Sequence, residues 1–198
     1  MSVTVALAGD TMLGRGVADE IALSGTRGLF SPGVRDVFAE ADLGLVNLEC
    51  CVSSRGRRWD PAGKAFHFRA PPEAAGALAD LGVDCVTLAN NHALDYGPEA
   101  LEDTLRHLAE AGVRAVGAGS DLREAEEDVV LEAGGVRIAV VGVTDHPPDF
   151  AAAPGRPGVA YADLAKGVPR RLAERIGRLR RSSDAVLVLP HWGPNMTQ

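Results

Sequence analysis

Cysteine is scarce in this sequence, and its scarcity limits how the fold can be stabilised. The 198 residues contain three, Cys50, Cys51 and Cys85, without a Cys-x-x-Cys motif. An odd number of cysteines in no such pattern argues against a disulfide framework and is typical of a reducing compartment. We interpret them as partly buried thiols, and the alternative for the adjacent pair is a site for a soft metal ion.

Basic residues are too few for a protein that binds nucleic acid. There are 20 Lys and Arg against 27 Asp and Glu, so the formal net charge is -7. Proteins that bind a polyanion such as duplex DNA carry a broad basic surface. The composition therefore argues against nucleic acid as a partner.

Long hydrophobic runs are lacking as well. No apolar stretch of the sequence reaches the roughly 18 residues needed to cross a bilayer. Hydrophobic residues make up 46% of the chain and charged residues 24%, as in ordinary globular proteins. The N-terminal residues show neither the basic region nor the cleavage site of a signal peptide. We therefore expect no membrane segment and a cytoplasmic protein.

What the sequence does contain is an alternation of short apolar runs with longer helical patterns, which favours an α/β fold with a largely parallel sheet. Helices are predicted after Pro32, Pro72 and Pro98. Gly134-Gly135 predicts a hairpin, so the sheets should be mixed. Strands are predicted at residues 3–8, 43–47, 84–89, 114–117, 129–132, 136–142 and 184–190.

Three other segments have their own signatures. Residues 53–72 and 145–158 are rich in Gly, Pro and charged residues, and we predict long irregular loops there. Residues 168–181 carry six arginines around an apolar stripe, which is typical of a solvated helix face. An anion-binding surface is the alternative for that helix.

Polar side chains stand at or just past the ends of four predicted strands. They are Asp10, Asn47 with Glu49, Asn90-Asn91-His92, and His191. Because the carboxyl ends of parallel strands meet at one rim, we expect these side chains to gather there. Carboxylate, amide and imidazole ligands together suit Mn, Fe, Zn or Mg. Each motif also has a structural alternative, since Asp10 could cap a helix and the Asn-His pair could form a turn.

Taken in order, these segments resemble the CapA-like proteins of poly-γ-glutamate or capsule biosynthesis, a branch of the calcineurin-like metallophosphoesterase superfamily. The resemblance implies one domain over residues 1–198, a four-layer αββα sandwich of the metallophosphoesterase type, and a two-metal site between its sheets. The matching segments are residues 8–15 (AGDTMLGR), 46–49 (VNLE), 64–71 (KAFHFRAP), 88–92 (LANNH) and 189–193 (LPHWG).

The resemblance also implies roles for single residues. Asp10, Asn91 and His191 would ligate metal, and Glu49 would bridge two ions. His92 would be the catalytic residue that protonates the leaving group or binds the phosphoryl oxygen. The expected substrate contacts are Arg15, Asn47, Lys64, His67, Arg69, Asn90 and Trp192. For residues 64–69 an edge strand with a polar face is the alternative.

Two departures from the family pattern affect these expectations. Met12 stands where the superfamily has the histidine of its Asp-x-His motif, so one metal loses an imidazole ligand. The sequence continues for seven residues after His191, without a Gly-His-x-His segment. We therefore expect a domain whose last part is missing, with an exposed sheet edge that favours self-association.

The sequence thus predicts a metal-dependent phosphoester hydrolase that acts on an anionic small molecule or polymer. The alternative is a non-catalytic component of capsule polymer synthesis that binds metal or the anionic polymer. His146 follows the strand predicted at residues 136–142, and its place is left open between a pocket residue and a loop histidine.

Overall fold

A computed structural model describes residues 2–61 and 64–193 of the chain. Strands and helices alternate along it, as the sequence predicts. The strands are β1 (Val5–Thr11), β2 (Leu43–Leu48), β3 (Cys51–Val52), β4 (Arg69–Ala70), β5 (Cys85–Thr87), β6 (Arg114–Val116), β7 (Ala118–Gly119), β8 (Val129–Ala133), β9 (Val136–Thr144), β10 (Gly158–Val159) and β11 (Ala185–His191). The helices are α1 (Gly16–Ser24), α2 (Pro32–Glu40), α3 (Glu73–Leu81), α4 (Pro98–Glu110), α5 (Leu122–Ala125) and α6 (Arg170–Ser182).

Local chemistry sets the ends of the predicted helices. Helix α2 begins at Pro32, and the Ser31 hydroxyl accepts a hydrogen bond from the Val34 N–H at 3.4 Å. This arrangement satisfies one of the free N–H groups of the first turn. Helix α3 ends at Gly82, which takes the left-handed conformation at φ 94°, where glycine has no side-chain clash.

Two main sheets form the centre of the fold. The first has the strand order β1-β2-β5-β6 and is parallel throughout. The second has the order β11-β9-β8, with β11 parallel and β8 antiparallel to β9. The hairpin between β8 and β9 turns at Gly134 and Gly135, both at positive φ. The prediction of mixed sheets with a hairpin at this point is confirmed.

The two predicted loops contain short regular elements. Strand β4 lies within residues 53–72, of which residues 62–63 fall outside the described part of the chain. The other loop holds a 3-10 turn at Pro148–Phe150 and the start of β10. Strand β3 pairs with β4, and β7 pairs with β10, each over two residues.

Apolar side chains pack in two clusters that define four layers. One cluster lies between the sheets and joins Leu45 and Val116 of the first to Leu131 and Val140 of the second. The other lies on the far face of the first sheet, beneath α1 to α4. Helix α6 contacts β11 on the outer side of the second sheet. The predicted αββα order is therefore confirmed.

Both sheets expose one long strand at an edge. Strand β1 ends the first sheet and β11 ends the second, and the Leu7 side chain of β1 is 57% exposed. A groove of about 190 Å³ runs between the two edges and is lined by residues of β1, β2 and β11. Among the described residues, no helix combines the length and apolar composition of a bilayer-spanning segment.

The three cysteines are free and buried. Burial raises the pKa of each thiol to about 12, so each remains a neutral thiol near pH 7. Their burial agrees with their interpretation as buried thiols.

Candidate metal centre

An irregularity in β1 aims Asp10 at the rim. Ala8 pairs with Val46 and Asp10 pairs with Asn47, so Gly9 is an extra, unpaired residue. Without this bulge Asp10 would pair with Leu48, whose side chain is buried under the helices. A shift of one residue moves a side chain to the other face of a sheet. The bulge therefore places the Asp10 carboxylate on the side that faces the second sheet.

The second sheet supplies a histidine at the same place. His191 is the last residue of β11, with its Nδ1 3.7 Å from Asp10 Oδ1 and its Nε2 3.7 Å from Glu49 Oε1. Asp10, Glu49 and His191 each offer one ligand atom, and these atoms lie within 4.8 Å of one another. The Asn91 Oδ1 is 2.8 Å from His191 Nε2. Four of the predicted metal ligands thus meet between the two sheets.

The charges at this place favour a cation. Burial, followed by the nearby Asp10 and Asp95 carboxylates, raises the pKa of Glu49 from 4.5 to about 7, against the opposing effect of Lys64. Burial lowers the pKa of His191, which favours the neutral imidazole that metals bind. A divalent ion would offset the repulsion between the carboxylates, and the oxygen and nitrogen donors suit Mn, Fe or Zn.

A buried aspartate that the sequence analysis missed orients His92. Asp95 is fully buried, and its Oδ2 lies 2.6 Å from His92 Nδ1 and accepts a hydrogen bond from the Phe68 N–H at 2.7 Å. Lys64 Nζ lies 2.8 Å from the other Asp95 oxygen. The opposite ring nitrogen, His92 Nε2, is 3.9 Å from Glu49 Oε1. His92 therefore presents Nε2 to the candidate metal centre while Asp95 holds Nδ1.

Three residues that were expected to contact a substrate are hydrogen-bonded to neighbouring residues of the centre. Asn90 is fully buried, donates to Asn47 Oδ1 at 3.0 Å and accepts from the His92 N–H at 3.0 Å. Asn47 in turn donates to Asp10 Oδ1 at 2.8 Å. Lys64 donates to the Asn91 carbonyl at 3.0 Å. These hydrogen bonds connect the three side chains to Asp10, Asn91 and His92 of the centre.

His67 also differs from its predicted place. Its side chain is 3% exposed, hydrogen-bonded to the Trp59 carbonyl and packed edge-on against Tyr96. The expected contact between His67 and a substrate therefore does not fit the structure.

Of the other predicted contacts, Arg15 and Trp192 are exposed and Arg69 is partly buried. The Arg15 guanidinium lies 5.8 Å from the centre of the Phe66 ring, and Trp192 is 67% exposed. The Arg69 guanidinium lies 4.2 Å from the centre of the Tyr96 ring. Arg15 is the non-glycine residue with positive φ in the described part of the chain, at φ 53° and ψ -131°.

A row of rings connects Arg15 to His92. The ring centres of Phe66 and Phe68 are 6.3 Å apart, and those of Phe68 and His92 are 4.1 Å apart. His146, whose place the sequence left open, lies beside His191 with the ring centres 5.3 Å apart.

Comparison with known proteins identifies a family. The family model described as "Bacterial capsule synthesis protein PGA_cap" matches residues 4–198. The PGA biosynthesis protein CapA of Bacillus subtilis is 32% identical over 96% of this chain and 49% of its own length. A probable polyglutamine synthesis accessory protein of Mycobacterium tuberculosis is 32% identical over 98% of this chain and 60% of its own length. The chain thus spans about half the length of these curated relatives.

Solved structures agree on the fold. A 5'-nucleotidase precursor from Thermus thermophilus superposes with a TM-score of 0.53 at 20% identity, over 96% of this chain and 37% of that chain. At that identity the likeness concerns the fold alone. It supports the layered arrangement of sheets and helices described above.

Proposed function

The chain belongs to the PGA_cap family of bacterial capsule synthesis proteins, and from that membership we propose that its strand ends form a divalent-metal site that hydrolyses a phosphoester. One observation carries the proposal: ligand atoms of Asp10, Glu49 and His191 converge from two sheets within 4.8 Å, beside a histidine paired with a buried aspartate. Mn, Fe and Zn fit this donor set.

The residues at the strand ends would hold the ion. A bound ion would supply a Lewis acid for the phosphoryl group. Asp10, Glu49, Asn91 and His191 would hold that ion. The four ligands suffice for one ion, and a second ion would need donors beyond this set.

His92 provides the proton for the leaving group. Asp95 accepts the Nδ1–H and stabilises the imidazolium, so Nε2 can hold a proton and release it to the leaving oxygen. The Phe68 ring, 4.1 Å from the His92 ring centre, fixes the plane of the imidazole. Lys64 Nζ lies 2.8 Å from Asp95 Oδ1 and so holds the carboxylate in place beside the ring.

The test is Mn-stimulated cleavage of a generic aryl phosphate. We expect His92→Ala to lower kcat about 100- to 10,000-fold, the usual contribution of a general acid, and Asp95→Asn to lower it less. His107→Ala is the matched control, because His107 lies on α4 and pairs with Glu110 away from the centre. Cleavage that persists in His92→Ala would rule out this role.

A second function is favoured by a different observation. Met12 occupies the position where the superfamily has a histidine ligand, and Arg15 stands exposed at the end of an apolar row of rings. Such a site suits a non-catalytic component that binds an anionic polymer in capsule synthesis. Absence of cleavage, together with binding of poly-glutamate that is lost in Arg15→Ala, would favour this alternative.

A further inference from the structure

A second imidazole stands next to the candidate metal centre with one nitrogen unused. Thr144 pairs with His191 across strands β9 and β11, so His146 lies just beyond that pair. Its Nε2 is buried and has no hydrogen-bond partner among the described residues. A buried polar atom without a partner is costly and rare in proteins, and it often marks the place of a bound ion or water molecule.

The other nitrogen of this ring is held by a carboxylate. His146 Nδ1 is 2.6 Å from Asp145 Oδ1. A carboxylate on one ring nitrogen fixes the tautomer, leaving the lone pair on the opposite nitrogen, and is the usual partner of a metal-ligating histidine. The Asp145 carboxylate also accepts from the Gly193 N–H at 3.3 and 3.4 Å. It thus fastens the loop of His146 to the segment that follows His191.

The separation of the two rings fits a shared ion. Their centres are 5.3 Å apart, with an angle of 35° between the ring planes. Two imidazoles that bind one tetrahedral ion at about 2.1 Å hold their ring centres roughly 5 Å apart. A shared ion requires His146 to move towards the other ligands, since its nitrogens are not among the atoms that lie within 4.8 Å of one another.

We propose that His146 is a further ligand of the metal centre, an inference that rests on the metal site proposed above. It supplies a second imidazole from the second sheet, whereas the Met12 sulfur is engaged by the Gly14 N–H at 3.0 Å within its own loop. The ligand set then contains two imidazoles, two carboxylates and one amide oxygen. Two nitrogen donors shift the preference from Mg towards Mn, Fe or Zn.

The experiment counts the imidazoles on the bound ion. Pulsed electron paramagnetic resonance of the Mn-loaded chain should show two histidine nitrogens in the wild type and one in His146→Ala. Calorimetry should show that His146→Ala weakens Mn binding at least 10-fold, because loss of an orienting partner alone costs 10- to 100-fold. Asp145→Asn, which keeps the imidazole, should weaken binding less. His107→Ala should change neither measurement.

The outcomes separate the two proposals. One nitrogen in the Mn-loaded wild type would overturn the role of His146 and leave the metal site standing. No Mn binding by the wild type would overturn both. Should His146→Ala fail to fold, the count in the wild type still decides, since it needs no variant.

Discussion

The raised pKa of Glu49 gives the metal-free chain an unusual dependence on pH. The folded state binds the Glu49 proton more tightly than the unfolded chain, because burial and the neighbouring carboxylates raise the pKa from 4.5 to about 7. Stability therefore falls as the pH rises from about 4.5 to about 7, and it stays reduced above pH 7. At about 1.36 kcal/mol per pKa unit, the loss is roughly 3 kcal/mol.

Glu49→Gln removes this ionisation and should stabilise the metal-free chain. We expect the free energy of unfolding to match the wild type at pH 4.5 and to exceed it by roughly 3 kcal/mol at pH 8. In a domain of this size that difference raises Tm by about 6 to 12 °C. Urea unfolding in the presence of a chelator, followed by the fluorescence of Trp59 and Trp192, measures it at each pH.

A control variant tests whether the pH dependence comes from Glu49. Glu110→Gln changes an exposed carboxyl on α4 and should leave the pH dependence of the wild type intact. Parallel stability curves for the wild type and Glu49→Gln from pH 4.5 to pH 8 would show that Glu49 ionises normally. Calorimetry of Mn binding in two buffers should also detect a proton released below pH 7, because the ion replaces the proton on Glu49.

Two further predictions concern the rim and the sheet edges. Arg15→Gly should raise Tm by about 2 to 4 °C, because glycine adopts the positive φ of this position without the strain that arginine carries. Thermal unfolding measures the change. A lower Tm of the variant would show that the backbone at this position is not strained. Gel filtration over a range of concentrations should show self-association of the wild type, since β1 and β11 present open edges. Leu7→Lys should reduce this association, because it places a charge on the edge. A wild type that elutes as a monomer at every concentration would contradict the prediction.

Most of the fold was predictable from the short apolar runs of the sequence. Strands β2 and β9 are mostly aliphatic, so both their existence and the polar residues at their ends were predictable. The two-residue strands β3, β4, β7 and β10 are too short to show a period. Helix α1 was missed because Arg15 precedes it without a side-chain cap, so the usual start signal is lacking.

The arrangement of the side chains at the candidate metal centre was harder to predict than their identity. The bulge at Gly9 decides the side on which Asp10 points, yet a single extra residue leaves no pattern in a sequence. Asp95 lies three residues after His92, but its contact with the ring depends on the turn between them. The resemblance implied that His67 and Asn90 contact a substrate, whereas tertiary packing buries both side chains.

Because Asp10 and Glu49 belong to one sheet and His191 to the other, a bound ion would act as a tether across the sandwich. Sliding of one sheet over the other would then require an ion–ligand bond to stretch or break. Strands β1 and β11 lie at sheet edges. Once the ion is bound, we expect their backbone amides to exchange with solvent together. The ion would thus add a polar link between two sheets that otherwise contact each other through the apolar cluster between them.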